Sequence, residues 1–393
     1  MISGSAPAMI HVTKLLCGTQ RVADAIHGDW LGAGGGISEN QPAVVWNITR
    51  RCNLRCLRCS SDSAPKLYPG ELTLDQMVNV IDDLSESKVP AVLFSGGEPM
   101  LHPHFFDVAG YAIERGLKVT VSTNGTRINS HAAERLKDLG VAYVGISLDG
   151  IGEDHDRFRG RRGAFKKAVE GLRHCREAGQ KAVLHINLTR QTVGRFADIF
   201  RFIEKEEVPR VCFHHLAGHG RGADVGLPAA AETRQALRMV ADVVLRWNRD
   251  GDTRETLTVG QPADGVFFWF LMRRRDPKRA DAIWRALKRN GADGHGVSNI
   301  DSQGNVHPDP LWQSHILGNV KDRPFSAIWK KSRNNELFSG LRDRLPRLKG
   351  RCAACRFLRV CGGGLRVRAF HKFGDPWAED PGCYLHDYEI ADF

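Results

Sequence analysis

The chain has 393 residues, 42% hydrophobic and 26% charged, with a formal net charge of +11. That length exceeds one ordinary domain, and the composition is that of a folded protein with a sizeable core, which excludes a disordered or low-complexity chain. No apolar run approaches the ~20 residues of a membrane helix, and the basic residues are spread out, with short clusters at 159–162 and 273–275, so neither a membrane nor a nucleic acid is an expected partner.

Residues 1–40 read as a short helical extension and a linker, GAGGG at 32–36. The opening MISGSAPAMIHVTKLLCG has neither the apolar core nor the cleavage site of a signal peptide, and the expected location is the cytoplasm. From 41 to 225 a rhythm follows. AVVWNIT (43–49), AVLFS (91–95), LKVTVST (117–123), AYVGISL (142–148), AVLHINL (182–188) and VCFHH (211–215) are short apolar, β-branched runs. The stretches between them carry apolar residues at three- and four-residue spacing, and several end at Gly. This alternation predicts an α/β fold with a parallel sheet, a partial (β/α)6 barrel. Residues 226–297 read as a helical connecting region, with one helix over 231–249 and another over 267–289. Residues 298–393 read as a C-terminal, cysteine-rich domain that opens on a hairpin or turn-rich segment at 298–310.

The polar residues stand at one place in that rhythm. CNLRCLRC (52–59), GGEP (96–99), TNG (123–125), SLDG (147–150), NLTR (187–190) and HHLAGHGRG (214–222) each end or follow a predicted strand. In a β/α barrel the strand C-termini converge on one face, where active sites are built. Six such sets on one face point to an enzyme. No general acid or base stands out among them.

Seven of the ten cysteines fall in two groups: Cys52, Cys56 and Cys59, spaced C-x3-C-x2-C, and Cys352, Cys355, Cys361 and Cys383, spaced C-x2-C-x5-C-x21-C. Grouping is a metal signature, and a cytosolic chain does not use such sets as disulfides. Cys17, Cys175 and Cys212 read as small buried hydrophobes. The first group has three readings. Buried thiols on one helix stripe are disfavoured by the flanking arginines and the strand-end position. Zinc usually takes four ligands from paired C-x2-C units. An iron–sulfur cluster held by three thiolates keeps one iron open for a substrate or cofactor. Four thiolates, as in the second group, close the coordination of zinc or of a cluster.

C-x3-C-x2-C after the first strand, followed by GGEP, resembles the radical S-adenosylmethionine (SAM) superfamily. The resemblance implies a [4Fe–4S] cluster held by Cys52, Cys56, Cys59 and SAM, whose reductive cleavage yields a 5′-deoxyadenosyl radical that takes a hydrogen atom from the substrate. It implies that the backbone of Gly96, Gly97 and Glu98 meets the SAM amino group, that Ser147 and Arg159 bind its carboxylate, and that Asn124 lies near the ribose or methionine. Arg58 and Ser60 depart from the aromatic residue or His and the Tyr that are frequent there. The second group is similar to the superfamily's SPASM and twitch domains and implies an auxiliary [4Fe–4S] cluster on Cys352, Cys355, Cys361 and Cys383.

The stretches 362–385, 308–320 and 215–222 resemble the tetrapyrrole-modifying branch of the superfamily, most closely that of heme d1 biosynthesis. The resemblance implies 12,18-didecarboxysiroheme as substrate, modified at its propionates, and an electron donor such as ferredoxin or flavodoxin. Carboxylates out of water need cationic partners, and His214, His215, His219, Arg221, Arg366 and Arg368 are the candidates. A heme-forming decarboxylase and a peptide-modifying SPASM enzyme are the alternatives.

Overall fold

The computed structural model describes residues 9–18, 41–218, 220–221, 226–290 and 296–391. The GAGGG linker lies outside the described residues. Strands β1 (Met9–His11), β2 (Ala43–Thr49), β3 (Ala91–Gly96), β4 (Lys118–Thr123), β5 (Tyr143–Ser147), β6 (Ala182–Leu188), β7 (Arg210–His215), β8 (Glu255–Val259), β9 (Val297–Ile300), β10 (Asn305–His307) and β11 (Gly318–Asn319) form one sheet. Its order is β1-β8-β7-β6-β5-β4-β3-β2-β9-β10-β11.

The six expected strands are β2 to β7, parallel and in sequential order. The sheet extends beyond them. β8 continues the parallel run after β7, and β9 pairs parallel with β2 on the other side. β1 closes one edge antiparallel to β8, so the N-terminal extension contributes a strand as well as its short helix, Val12–Cys17. The predicted hairpin is β9–β10, and it carries the C-terminal region onto the barrel sheet.

Alternation along each strand separates two faces. Trp46, Phe94, Val121, Ile146, Ile186 and Phe213 turn toward the helices. The opposite face has an apolar floor of Ala43, Val45, Ala91 and Leu93 and of Tyr143, Val183, Cys212 and Leu257. Toward the strand C-termini it becomes polar, with Asn47, Ser95, Ser122, Ser147, His185, Asn187 and His214 at the same alternation. Burial at one end and polarity at the other place the chemistry at the strand ends.

The helices start and stop by local chemistry. Thr73 and Gln76 form a capping box ahead of Leu74–Glu86, and Asn129 accepts from the Ala132 N–H ahead of Ser130–Asp138. Helix Phe196–Lys205 buries Phe196, Ile199, Phe200 and Ile203, one helical stripe. The helix expected over 267–289 is two, Ala263–Arg275 and Pro277–Asn290. Pro277 cannot continue a helix and forces Asp276 extended, yet suits the first position of the next one. Among the described residues no helix is long and apolar enough to cross a membrane.

Candidate active site and auxiliary metal centre

The cysteine loop leaves β2 and is stitched down by its backbone. Cys52 N–H donates to Ala64 O (3.1 Å), Leu57 N–H to Phe158 O (2.8 Å), and Cys59 exchanges two hydrogen bonds with Arg221 (3.2 and 3.0 Å). This turns the Cys52, Cys56 and Cys59 thiols into one cavity of about 170 Å³. Gly96, Gly97, Asn124 and Ser147, from the ends of β3, β4 and β5, line the same cavity with Arg159 from the last turn of helix Glu153–Arg159, and Arg58 and Ser60 stand at its wall.

Gly97 is required by close packing. A Cβ there would lie 2.3 Å from Arg51 O and 2.6 Å from Arg50 O. The absent side chain lets Gly97 N–H reach Thr49 O (2.7 Å) and Glu98 N–H reach Arg51 O (2.9 Å), which locks the GGEP turn under the cysteine loop. The fully buried Glu98 carboxylate is outside the cavity lining. It accepts from Thr123 Oγ1 (2.7 Å), Asn124 N–H (2.8 Å) and Met100 N–H (3.3 Å). Burial pushes its carboxyl upward, against those three donors. Asn124 in turn donates to Asn53 Oδ1 (3.0 Å), inside the cysteine loop.

Arg159 is half-buried, ion-paired with the buried Asp149 and within 3.7 Å of Cys56 Sγ. Its Nε has no partner. Asp149 also accepts from Asn187 (2.8 Å to Nδ2), while its N–H donates to His155 Nδ1 (3.1 Å). Asp149, His155 and Asn187 therefore position Arg159. Asp149 and Asn187 lie in strand-end motifs read from the sequence, but only their position pointed to a role.

The candidate substrate residues have separate environments. Arg221 donates to Cys56 O (2.9 Å), Asp62 Oδ1 (2.8 Å) and Ser63 O (3.0 Å), all on the cysteine loop. His215 pairs with Asp264 (2.9 Å), which also accepts from Tyr384 (2.6 Å). His214 packs against His185, ring centroids 4.9 Å apart, and its buried Nε2 has no partner. Burial depresses His214 to about 4 and His185 to about 3, so both rings are neutral at pH 7. A Cβ on Gly145 would meet the His185 ring at 2.5 Å, so the glycine makes room for it. His185 was read only as part of a strand. His219 lies outside the described residues.

Cys352, Cys355, Cys361 and Cys383 line a second, narrow cavity. Asp380 N–H donates to Cys352 Sγ (3.4 Å), Phe357 N–H to Cys355 Sγ (3.4 Å) and Arg351 Nη1 to Cys383 Sγ (3.0 Å). Arg368 makes a buried two-pronged pair with Asp380 (2.8 and 2.6 Å) and donates to Leu216 O (3.1 Å) at the end of β7. Arg366 donates to Pro376 O and Ala378 O, and its buried Nε and Nη2 have no partner.

Both cavities fit an anionic, thiolate-bound cluster. Leu54 and Ser63 donate N–H groups to Cys52 (3.4 Å) and Cys59 (3.2 Å), as Asp380 and Phe357 do in the second cavity. Burial pushes the Cys52 thiol up to about 12 and raises Cys56, so ionising them calls for a metal. Each cavity also has an arginine with a buried, unpartnered nitrogen beside it: Arg159 (Nε) in the lining of the first, and Arg366 (Nε and Nη2), next to Gly363 of the lining, at the second. Among the described residues no three His, Cys, Asp or Glu side chains close onto a single ion.

Fold and site together define an α/β iron–sulfur protein with its reaction centre at the strand C-termini. Residues 46–203 match the radical SAM superfamily, and 294–356 match SPASM, an iron–sulfur cluster-binding domain. The chain is 39% identical to the Fe-coproporphyrin III synthase of Methanosarcina barkeri, covering 98% of this chain and 99% of that one. It is 40% identical to the pre-heme d1 synthase of Dinoroseobacter shibae, over 88% and 86%. The fold is similar to that of native anSMEcpe with bound AdoMet, with TM-score 0.68 and 18% identity over 89% of this chain and 95% of that one. The chain belongs to the radical SAM superfamily, in the branch with a C-terminal SPASM domain. The SPASM match stops just past Cys355, so Cys361 and Cys383 join the set through their convergence in the second cavity.

Proposed function

We propose that the chain modifies carboxylate side chains of an iron tetrapyrrole, with the propionates of 12,18-didecarboxysiroheme as its target on the way to heme d1. Cluster and SAM, when bound, supply the one-electron chemistry that removes a hydrogen atom from an unactivated C–H bond. In this reading Cys52, Cys56 and Cys59 hold the cluster and leave one iron for SAM. The Gly96–Glu98 backbone receives the SAM amino group. Ser147 and Arg159 take its carboxylate, with the unpartnered Nε of Arg159 as a donor. Asn124 fixes the cysteine loop beside them. Cys352, Cys355, Cys361 and Cys383 hold the auxiliary cluster, with Arg366 and Arg368 shaping its cavity.

A neighbouring cavity of about 390 Å³ shares Ser60 and Ser61 with the first and is walled by Arg50, Tyr68, Gln303 and Gln313. It provides room for a substrate next to SAM. His214, neutral and unpartnered, is the proposed substrate contact on the inner face. An acidic one-electron carrier such as ferredoxin or flavodoxin is the proposed donor.

The observation that carries the substrate class is the pair of relatives named for heme-type products, aligned over nearly the whole chain. A second reading, formation of an iron coproporphyrin, is favoured by the relative that matches end to end. The test is anaerobic. The reconstituted protein is reduced and given SAM and 12,18-didecarboxysiroheme, and 5′-deoxyadenosine and tetrapyrrole mass are followed together. Substrate-dependent 5′-deoxyadenosine with mass loss at propionates supports the first reading, and conversion to iron coproporphyrin III supports the second. Deoxyadenosine with an unchanged tetrapyrrole rejects both and turns the search to peptides.

A further inference from the structure

A cavity of about 750 Å³ lies apart from the site described above and shares no lining residue with the SAM cavity. It runs between helices Ala230–Arg249 and Ala263–Arg275 and is edged by the C-terminal segment. Arg234, Arg238, Arg273, Arg274, Arg275 and Arg356 line it, against a single acid, Glu389. Arg234 pairs with Glu389 (2.7 Å) and Arg275 with Asp242 (2.6 Å). Arg238, Arg273, Arg274 and Arg356 are exposed. Aromatic rings hold three of the arginines in place: Arg238 lies over Phe267, Arg273 over Trp269 and Arg356 over Phe357. The 66% exposed Tyr388 stands at the edge.

The patch adjoins the auxiliary cysteines. Arg356 follows Cys355 in the chain, and Glu389 precedes Ile390, which lines the auxiliary cavity. Phe270 of the patch packs against Phe357 with ring centroids 5.7 Å apart, and the Phe357 N–H donates to Cys355 Sγ. A packed path of one ring contact and one hydrogen bond therefore joins the basic surface to a cluster thiol. A small anion would use the charge alone. The path to the cluster thiol favours a redox partner.

We propose that this arginine face docks an acidic one-electron carrier protein, which exchanges a single electron with the auxiliary cluster. One electron leaves the reduced member and enters the oxidised one, with no bond made or broken. The inference rests on the proposed auxiliary cluster, and charge complementarity steers such an encounter.

The test uses the reconstituted full-length holoprotein and an acidic [2Fe–2S] ferredoxin as probe, with affinity measured by calorimetry at low and raised salt. Arg273→Glu/Arg274→Glu reverses two exposed charges of the patch. Lys166→Glu/Lys167→Glu makes the same charge change on another helix. The patch variant is expected to lose about tenfold in affinity and to flatten the salt dependence, with less than about a twofold change in the control. Equal losses in both variants, no loss in the patch variant, or no ferredoxin binding to the parent at low salt overturns the proposal. So does saturation of this face by free tetrapyrrole in place of ferredoxin. Deoxyadenosine formation driven by dithionite stays unchanged in both variants, so failure of docking is distinguishable from failure of the tetrapyrrole reading, which the mass assay decides.

Discussion

Arg159 meets two demands at once. It neutralises the buried Asp149 and lines the cavity proposed for SAM, with its Nε left unpartnered. Lys cannot do both, because an ammonium is a point charge without the planar fork. Arg159→Lys is expected to raise the Kd for SAM by about 10- to 100-fold while iron content is unchanged, checked by equilibrium binding to the reconstituted protein. Nearby, His155 must be neutral to accept from the Asp149 N–H, and burial depresses it to about 3. The sign follows. Below the unfolded value of about 6.5 the unfolded chain binds a proton that the folded chain refuses, so stability falls as pH falls. His155 is expected to cost about 2 kcal/mol between pH 6.5 and 5, at about 1.4 kcal/mol per unit. Urea titrations across that range should show a shallower slope in His155→Gln than in the parent.

At the scale of the element, the GGEP turn and the cysteine loop are one device, joined where Gly97 admits the Arg50–Arg51 carbonyls. Gly97→Ala places a methyl 2.3 Å from backbone oxygen that no rotamer can relieve. The expected outcome is a folded sheet with less than about half the parent's SAM-site iron, read by iron analysis and circular dichroism together. This site was legible because its signals are local: three cysteines in eight residues, two adjacent glycines, polar residues at strand ends. β2 to β7 were legible for a similar reason, since each is a run of β-branched residues bounded by turns. β8 and β9 were not. ETLTV is half polar between two long helices, and VSNI owes its strand state to pairing with β2, a partner some 250 residues away. The arginines misled in another way. Charge near a strand end or a cysteine group reads as carboxylate binding, and the sequence cannot show that Arg221 and Arg368 already have acidic or carbonyl partners within the fold.

Across the whole molecule, the auxiliary region is built into the core. β9 and β10 continue the barrel sheet, and Phe325, Trp329, Phe357 and Tyr384 belong to the same apolar cluster as the barrel strands. A polar tie runs beside that packing: Leu216 O accepts from Arg368, Arg368 grips Asp380, and Asp380 N–H donates to Cys352 Sγ. Breaking one member of a buried ion pair leaves the other charge stranded, so Arg368→Met is expected to cost about 3–5 kcal/mol in denaturant unfolding. Emptying the second cavity tests the same tie from its other end. Cys352→Ser/Cys355→Ser should lower bound iron from about eight to about four per chain. It should also lower the Tm, because the buried donors of Arg366 and the Asp380 N–H then lack an anionic acceptor. SAM cleavage under dithionite should persist, since the two cavities share no lining residue. If cleavage is lost together with the second cluster while iron falls only by half, the two centres are coupled through the Leu216–Arg368–Asp380 tie, and Arg368→Met should then abolish cleavage as well.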